Sequence, residues 1–513
     1  MTAPSALRNA VANTIGYAVS IAISFVQAPF LIHHLGDERY GVWTLIGLVT
    51  GYYGLLDFGT RGAIGFFVAR ARAREATLEV AELTASAFWF LATAGAVVLL
   101  VGTGILFLFP DMFRVAPAVR TESMIALAIA LVLTVLTLPL DVFAAIVNGC
   151  RRGEIVTITE TFVRVIIFIL IYVLFQWGAR LDVLAGIQVV GKLIVWVVAF
   201  VTARRLEPNW RLGFRFYRRS RLREIMRYGF QTSIINVAGV VVERLDAIVI
   251  AVVLGARMVT VYVIGQSLVM YLRQGVSAIT LALTPFFADL HAKDDDERTR
   301  WLFFAGTRAA SLVTGVIAGG LIAFGTAFLT RWVGPRYVEG VWYDRSDTVL
   351  LVLIAAMIPK LLFSTAHQYL FGSNKQAYLS RVFVIEGIFN LVLSLALVRP
   401  LGLAGVAIGT ALPSIVSHWW FLPRFVARSI GVPMRQVFFE GQARGLGMGV
   451  VIAVAGMLVE RVIPPTTWPL FSLAVFCTLV ITSPFLWLAG LTSQDRFHVR
   501  TILARVRPER RPA

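Results

Sequence analysis

Long apolar runs alternate with short polar segments along the whole chain. Most runs hold about 20 residues, enough for one helix to cross about 30 Å of hydrocarbon. Strands of a membrane barrel would be shorter and would alternate polar with apolar positions, whereas these runs are continuously apolar. The pattern therefore predicts an all-α polytopic membrane protein with about 14 transmembrane helices, one of them over Val42–Val68.

Composition agrees with a membrane location. Of the 513 residues, 58% are hydrophobic and 15% are charged, whereas soluble domains carry about 25% charged residues. The net charge of +18 does not indicate nucleic-acid binding, because the basic residues lie between the apolar runs. The first apolar run is too long for a cleaved signal peptide and is expected to remain as a helix.

The polar segments fall into a strongly basic set and a weakly basic set that alternate along the chain. The basic set includes Ala69–Glu75, Cys150–Glu154 and the tail after Phe497. The positive-inside rule then places both termini in the cytoplasm. The most basic segment, residues 204–229, is expected to lie on anionic lipid headgroups as a topology anchor, with a dedicated partner site as the alternative.

An internal repeat relates the two halves of the chain at an offset of about 219–220 residues. The matching stretches are Leu35–Trp43 with Leu254–Tyr262, Gly65–Ala69 with Pro285–Asp289, Pro139 with Pro359, and Leu184–Gly191 with Leu403–Thr410. Repeats with an even number of helices share one orientation, and two such lobes can rock about a central cleft.

The repeat predicts two pseudo-symmetric lobes of about six helices each and a peripheral helix pair. The N-lobe would cover residues 1–203 and the C-lobe residues 230–427, joined by the basic cytoplasmic linker 204–229. Helices 13 and 14 would occupy residues 428–490, and residues 491–513 would form a basic cytoplasmic tail.

Charged residues inside apolar helices are costly, so they are expected to face the bundle interior or a wet cavity. The basic candidates for a cationic cavity are Arg61, Arg164, Lys192, Arg244, Arg273, Arg308, Lys360 and Arg381. The acidic candidates for ion coupling or charge balance are Asp57, Glu160, Glu243, Asp246 and Glu386.

Two readings of these charges stay open. The pairs Asp57–Arg61 and Glu160–Arg164 have the i, i+4 spacing of ion pairs formed along one helix, which would make them structural. Bases near helix ends would reach the headgroups instead of a cavity. Bases inside a cleft would favour an anionic cargo, and the acids could couple transport to an H⁺ or Na⁺ gradient.

The residues give no sign of a cofactor or of a resident metal. No Walker A loop or strand-framed glycine-rich turn is present, which argues against direct use of ATP. His33 and His34 are expected to form a solvated pair, and the two cysteines, Cys150 and Cys477, suit neither a disulfide framework nor a metal site. No catalytic residue is predicted, so the chain is expected to be a transporter and not an enzyme.

Two stretches and the overall plan resemble the bacterial polysaccharide-precursor flippases, the Wzx-type branch of the multidrug/oligosaccharidyl-lipid/polysaccharide superfamily. Residues 29–62 are similar to the family's opening pattern of Leu-Gly, Tyr-Gly and Leu-Asp-Phe-Gly. Glu386–Thr410 is similar to its later pattern of Glu, Asn and Gly-x-x-Gly-x-Ala-x-x-Thr. The plan of about 14 helices, as two lobes and a pair, covers nearly the whole chain.

The resemblance implies a fold like that of the multidrug exporters of the superfamily. It also implies transport of an undecaprenyl-diphosphate-linked oligosaccharide from the cytoplasmic to the outer leaflet, by alternating access through a cationic central cavity. The implied partners are this lipid-linked glycan and anionic lipids, with polysaccharide polymerase and export machinery as further candidates, and a monomer is expected.

Three alternatives remain at this point. A cation-coupled multidrug exporter has the same fold, but a base-rich cleft would repel its cationic cargo. A membrane glycan polymerase or glycosyltransferase would need catalytic residues on a substantial outer loop, and the outer loops here are short. A scaffold without transport would not need charges inside its helices.

Overall fold

The computed structural model describes the backbone of residues 3–53, 57–178 and 180–490, and within these ranges the side chains of all but residues 3–11, 13–14, 53, 230–244 and 489. Every regular element in these ranges is helical. Two predicted charge candidates, Glu243 and Arg244, and the basic tail 491–513 lie outside the residues so described.

The helices follow one another with short connections. They are α1 (Ala3–Tyr53), α2 (Thr60–Ala73), α3 (Thr77–Met112), α4 (Arg120–Gly149), α5 (Gly153–Leu174), α6 (Leu181–Leu206), α7 (Arg219–Leu254), α8 (Ala256–Thr280), α9 (Thr284–Ala292), α10 (Asp296–Trp332), α11 (Ser346–Leu362), α12 (Ser364–Gly372), α13 (Gln376–Val416), α14 (Leu422–Ile430), α15 (Met434–Gln436), α16 (Ala443–Val462) and α17 (Trp468–Phe485).

Within the described residues, ten helices are long and apolar enough to cross a membrane, or eleven if the bent pair α11–α12 forms one span. Two of the long helices are interrupted by residues with non-helical backbone angles. In α1, which covers 51 residues, the interruption is Gly36, and in α13, which covers 41 residues, it is Leu401 and Gly402. Both helices exceed the length that one crossing needs. The multi-pass helical class is confirmed, and the count of fourteen stays a prediction.

The contacts divide the chain into two compact units, Met1–Thr260 and Val261–Ala513. The division falls inside α8, later in the chain than the predicted linker. The reason is that α7 packs against α1, α2 and α3 of the first unit. The assignment of helices to two lobes therefore stays a prediction from the repeat.

Unusual backbone angles recur at the same offset as the repeated sequence. Gly36 and Gly255, each preceded by leucine, have φ values of 75° and 97°. Glu75 and Asp294, each in the turn after a helix, have φ values of 55° and 51°. Positive φ is rare outside glycine, so these recurrences support the internal repeat.

Helix α16 crosses α10 through glycines in the second unit. A β-carbon on Gly315 would stand 2.0 Å from the carbonyl oxygen of Gly445, and one on Gly319 would stand 2.4 Å from that of Gly449. Each helix thus carries two glycines four positions apart at the crossing, a pattern that lets membrane helices approach backbone to backbone. The predicted helices 13 and 14 correspond to α16 and α17, and α17 packs on α16.

The Glu-Asn-Gly-Thr stretch forms a tight helical hairpin within α13. Gly402, with φ of 50°, turns the chain, and the next backbone amide, that of Leu403, donates to Asp344 Oδ1 at 3.2 Å. Across the hairpin Asn390 Nδ2 donates to Thr410 Oγ1 at 3.0 Å. This hydrogen bond thus joins the helical segments before and after Gly402. Glu386 lies one helical turn before Asn390.

Candidate functional site

The Asp57–Gly59 stretch is a turn. Phe58 and Gly59 have φ values of 46° and 70°, and the Gly59 amide donates to Asp57 Oδ1 at 2.9 Å. Helix α2 starts immediately afterwards, at Thr60. The prediction of one continuous helix over Val42–Val68 is therefore wrong, because two consecutive residues with positive φ cannot continue an α-helix.

Arg61 at the start of α2 binds two carboxylates. Its Nε lies 3.2 Å from Asp57 Oδ2, and its Nη1 lies 2.6 Å from Asp141 Oδ2 on α4. The other oxygen of Asp141 accepts a hydrogen bond of 3.1 Å from Trp196 Nε1 on α6. The Asp57–Arg61 pair thus forms, but it joins the two sides of the turn before α2 and does not run along one helix. Arg61 also pairs with Asp141 on α4. We call Asp57, Arg61 and Asp141 the N-terminal charge cluster, which contains two acids and one base.

Asp141 is a residue that sequence reasoning missed. Its side chain is only 10% exposed, and it lies in an apolar helix two residues after Pro139. That placement was a usable signal, since a carboxylate inside an apolar helix normally has a partner.

Of the remaining described candidates of the first unit, Glu160, Arg164 and Lys192 form no ion pair with this cluster. Glu160 and Arg164 are both exposed on α5, and the side-chain contacts of the described residues include no ion pair between them. The i, i+4 spacing alone therefore does not produce an ion pair at these two residues. Lys192 on α6 is half-buried, and Asp246 on α7 is buried, with 2% of its surface exposed.

A second charge cluster lies in the second unit. The carboxylate of Glu386 on α13 is 3.7 Å from Lys360 Nζ at the end of α11 and 3.8 Å from His418 Nδ1. It also accepts a hydrogen bond of 2.9 Å from Ser417 Oγ. The Lys360 ammonium lies 5.3 Å from the centroid of the Phe383 ring. Two sequence candidates, Lys360 and Glu386, are thus brought together in this C-terminal charge cluster.

Two histidines belong to the C-terminal charge cluster, and the sequence analysis did not single out either. His418 lies in a π-helical segment, Ser417–Phe421, and none of its side chain is exposed. The ring of His367 on α12 lies 5.5 Å from that of His418, edge to face. A histidine in an apolar run is usually a core residue, so only the fold reveals this pairing.

The three other basic candidates of the second unit lie on different helices. Arg273 on α8 and Arg308 on α10 are half-buried, and Arg381 on α13 is exposed. An apolar crevice of about 260 Å³ lies between α10, α16 and α17, lined by residues such as Phe324, Ile452 and Phe471. No charged side chain lines this crevice.

A third group of charges fastens the start of α7 to α2 and α3, and we call it the linker cluster. Glu224 on α7 binds Arg70 on α2 at 2.6 Å and Arg221 at 3.3 Å. Arg221 in turn lies 3.2 Å from Glu79 and 3.3 Å from Glu82 on α3. Burial alone would raise the pKa of the Glu224 carboxyl, but the hydrogen bonds from Arg70 and Arg221 outweigh it and hold the pKa below its ordinary value.

The connection between α6 and α7, residues 207–218, is docked on the first unit. Trp210 is buried, and Trp89 Nε1 of α3 donates to the carbonyl oxygen of Leu212 at 2.8 Å. Phe214 and Arg215 remain exposed. The protein itself therefore fixes one face of this basic segment, and contact of the other face with anionic lipid stays a prediction.

Residues 6–291, more than half of the chain, match the model of a family described as "Polysaccharide biosynthesis protein". Among curated relatives, the chain is 23% identical over 469 residues to the "Uncharacterized membrane protein EpsK" of Bacillus subtilis (strain 168), covering 89% of this chain and 90% of that protein. It is 22% identical over 415 residues to a "Putative O-antigen transporter" of Shigella flexneri, covering 80% and 96%.

Solved structures share the fold at low sequence identity. The lipid II flippase MurJ in an inward closed conformation matches with a TM-score of 0.64 at 11% identity, over 93% of this chain and 98% of that one. An inward-facing multidrug resistance transporter of the MATE family matches with a TM-score of 0.62 at 13% identity, over 81% and 94%. These likenesses concern the fold alone.

Proposed function

Because the chain belongs to the polysaccharide biosynthesis protein family, we propose that it flips an undecaprenyl-diphosphate-linked oligosaccharide from the cytoplasmic to the outer leaflet for cell-surface polysaccharide synthesis. The family match, the similarity to the putative O-antigen transporter of Shigella flexneri and the MurJ-like fold confirm the resemblance to the polysaccharide-precursor flippases. The chain is a multi-pass membrane transporter of this family. The cargo and the mechanism are the proposed parts.

The family match is the observation that carries the proposal, and the charges within the apolar helices support the choice of an anionic cargo. Half-buried basic side chains are present on α6, α8, α10 and α11, namely Lys192, Arg273, Arg308 and Lys360. A diphosphate carries negative charge that such groups can bind, and arginine binds phosphate oxygens in a bidentate manner.

The charge clusters refine the predicted cationic cavity. Arg61 is bound by two carboxylates and Lys360 is paired with Glu386, so neither is an unpaired cation. Under the proposal, Arg273 and Arg308 are the first candidates for diphosphate contacts, because both are half-buried arginines in apolar helices. Alternating access, coupling to an H⁺ or Na⁺ gradient, cytoplasmic termini and an inner-membrane location belong to the same proposal.

Reconstitution would test the proposal. Purified protein is reconstituted in lipid vesicles together with a fluorescent undecaprenyl-diphosphate oligosaccharide. A membrane-impermeant quencher then measures how much labelled sugar is exposed in each leaflet. We expect protein-dependent movement of this lipid and no movement of a cationic dye. The opposite result would favour a multidrug exporter of the same fold.

A double variant, Arg273→Ala with Arg308→Ala, separates a role in transport from a role in membrane insertion. We expect slower flipping with unchanged protein in the membrane. The matched control is Arg298→Ala, since the Arg298 side chain is 77% exposed. Equal rates for the double variant and the wild type would show that the two arginines do not contact the cargo.

A further inference from the structure

Helices α1 and α5 pack side by side and run in the same direction. A β-carbon on Gly16 would stand 2.7 Å from Thr161 Oγ1, and further along both helices the rings of Phe30 and Tyr172 lie 5.3 Å apart. These contacts fix the line along which the two helices touch. Because an α-helix has about 3.6 residues per turn, the side of the pair to which each other residue points follows from its position along the chain.

One side of the α1–α5 pair is polar, and the opposite side is apolar. The polar side carries six residues that we call the polar face: Tyr17, Ser20, Ser24 and Gln27 of α1, and Glu160 and Arg164 of α5. The opposite side exposes Ile15 and Val26 of α1, and Ile158, Phe162 and Ile169 of α5. A layer of membrane helices with one polar and one apolar side indicates water on the first and lipid on the second.

The two charges of the polar face lie deep in the membrane span. Arg164 is the twelfth of the 22 residues of α5, near the middle of a helix long enough to cross the hydrocarbon. Glu160 and Arg164 are both exposed, and among the described residues none of the six side chains of the polar face forms a hydrogen bond or an ion pair. Exposed charges at this depth face water and not lipid. The polar face therefore offers donors and acceptors to a ligand.

We propose that the polar face binds the glycan of the lipid-linked cargo, an inference that rests on the proposed function. Sugar hydroxyls both donate and accept hydrogen bonds. The Glu160 carboxylate accepts, the Arg164 guanidinium donates, and the Gln27 amide does both. One acid and one base give the face no net charge, so it suits an uncharged polyhydroxyl ligand. The diphosphate is left to Arg273 and Arg308.

Two other occupants of the polar face fit less well. Lipid acyl chains would leave both charges without solvent or a partner. A coupling cation would be attracted by Glu160 but repelled by Arg164 one helical turn away. No group of three or more metal-binding side chains occurs in the part of the chain that the structure describes.

Competition between lipids tests the contact with the glycan. In the vesicle assay with fluorescent undecaprenyl-diphosphate oligosaccharide, the unlabelled competitor is either the same glycan-bearing lipid or undecaprenyl diphosphate without sugar. We expect the wild type to prefer the glycan-bearing competitor. Glu160→Gln combined with Arg164→Gln should lower this preference by about tenfold or more, the loss expected when hydrogen bonds to charged groups are removed.

Two further variants separate glycan contacts from other effects. Arg273→Ala with Arg308→Ala should weaken both competitors equally, because both carry the diphosphate. Phe162→Leu, on the apolar side of the same helix, should leave both competitors unchanged. A wild type that does not distinguish the competitors, or a preference that survives in the double variant of Glu160 and Arg164, would overturn the proposal.

Cysteine labelling tests whether the polar face is wet, and it does not require transport. Cys150 and Cys477 are replaced by alanine, and Ser24→Cys on the polar face is compared with Phe162→Cys on the apolar side, since both positions are exposed. A membrane-impermeant maleimide reacts with the thiolate, which forms in water and not in lipid. We expect labelling of Ser24→Cys only. Equal labelling of the two, or none at Ser24→Cys, would contradict the polar face.

The two measurements distinguish failure of the glycan site from failure of the proposed function. If the wild type moves no lipid while only Ser24→Cys is labelled, the proposed function fails and the water-facing surface remains. If lipid moves while the double variant of Glu160 and Arg164 keeps the wild-type preference, the glycan site fails alone.

Discussion

Gly229 of α7 lies against the carbonyl group of Phe58, so closely that a β-carbon at position 229 would stand 2.4 Å from that oxygen. One residue earlier, Tyr228 stacks on Phe66 of α2, with ring centroids 5.0 Å apart. The Asp57–Gly59 turn, which carries the family's opening pattern, is therefore the surface on which the start of α7 rests.

Gly229→Ala should destabilise the protein by about 1–3 kcal/mol, because the backbone of the turn cannot move aside as a flexible side chain would. Glycine to alanine in a helix otherwise stabilises by up to about 1 kcal/mol, so the expected sign is reversed here. The measurement is the midpoint of thermal unfolding in detergent. Gly62→Ala is the control, since a β-carbon on Gly62 would meet nothing within 4 Å; equal midpoints for the two variants would show that α7 does not rest on the turn.

Arg61 and Asp141 should be energetically coupled. Because they are 2.6 Å apart and Asp141 is nearly buried, replacing both by alanine should cost less than the sum of the single replacements. We expect a coupling energy towards the lower end of about 0.5–3 kcal/mol, since more than a third of the Arg61 side chain is exposed. A double-mutant cycle on unfolding free energy measures it. The cycle of Arg120 with Asp111, an exposed pair, is the comparison, and additive effects at Arg61 and Asp141 would contradict the bridge.

The linker cluster should weaken in acid. The pKa of Glu224 is held below its ordinary value of 4.5, so the carboxylate adds stability that is fully present above pH 4.5 and is lost as the pH falls below it through the folded-state pKa. Between pH 7 and pH 3 the wild type should therefore lose more thermal stability than Glu224→Gln does. Asp111→Asn, at an exposed pair, should follow the wild type. Parallel pH profiles for the wild type and Glu224→Gln would argue against the cluster.

The crossing of α10 and α16 should not tolerate side chains. Gly445→Leu should separate the helices, because the β-carbon at 445 would already stand 2.3 Å from the backbone of Ser311. Gly447→Leu, two residues along the same helix, is the matched control, since its β-carbon would meet nothing within 4 Å. The fraction of protein that remains monodisperse after heating should fall for the first variant only. Equal fractions would mean that the helices do not cross at these glycines.

Sequence patterning predicted the helical membrane class and the repeated Leu-Gly positions, because hydrophobic length and glycine placement are local properties. It did not predict the turn at Asp57–Gly59, since the surrounding residues are apolar enough for an uninterrupted helix. An aspartate followed two residues later by glycine was the available sign of a turn.

The charge clusters were predictable only in part. Asp57 and Arg61 are close in sequence, so their pair could be read from spacing. Lys360 and Glu386 lie on different helices, and their pairing depends on how α11 packs against α13. His418 gave no signal at all, because one histidine within an apolar run has the same pattern whether or not another ring faces it.

The glycine crossing also constrains how the protein is made. Gly315 leaves the ribosome about 130 residues before Gly445, a delay of several seconds or more at about 5–20 residues per second. During that interval the glycine face of α10 has no helix to fill it, so acyl chains or an insertion factor must cover it. When α16 arrives it displaces that cover without any hydrophobic gain, since lipid is as apolar as the helix. Close packing of the glycine faces and hydrogen bonds, such as the one that Ser311 Oγ donates to the carbonyl oxygen of Gly441 at 2.9 Å, therefore hold this late helix in place.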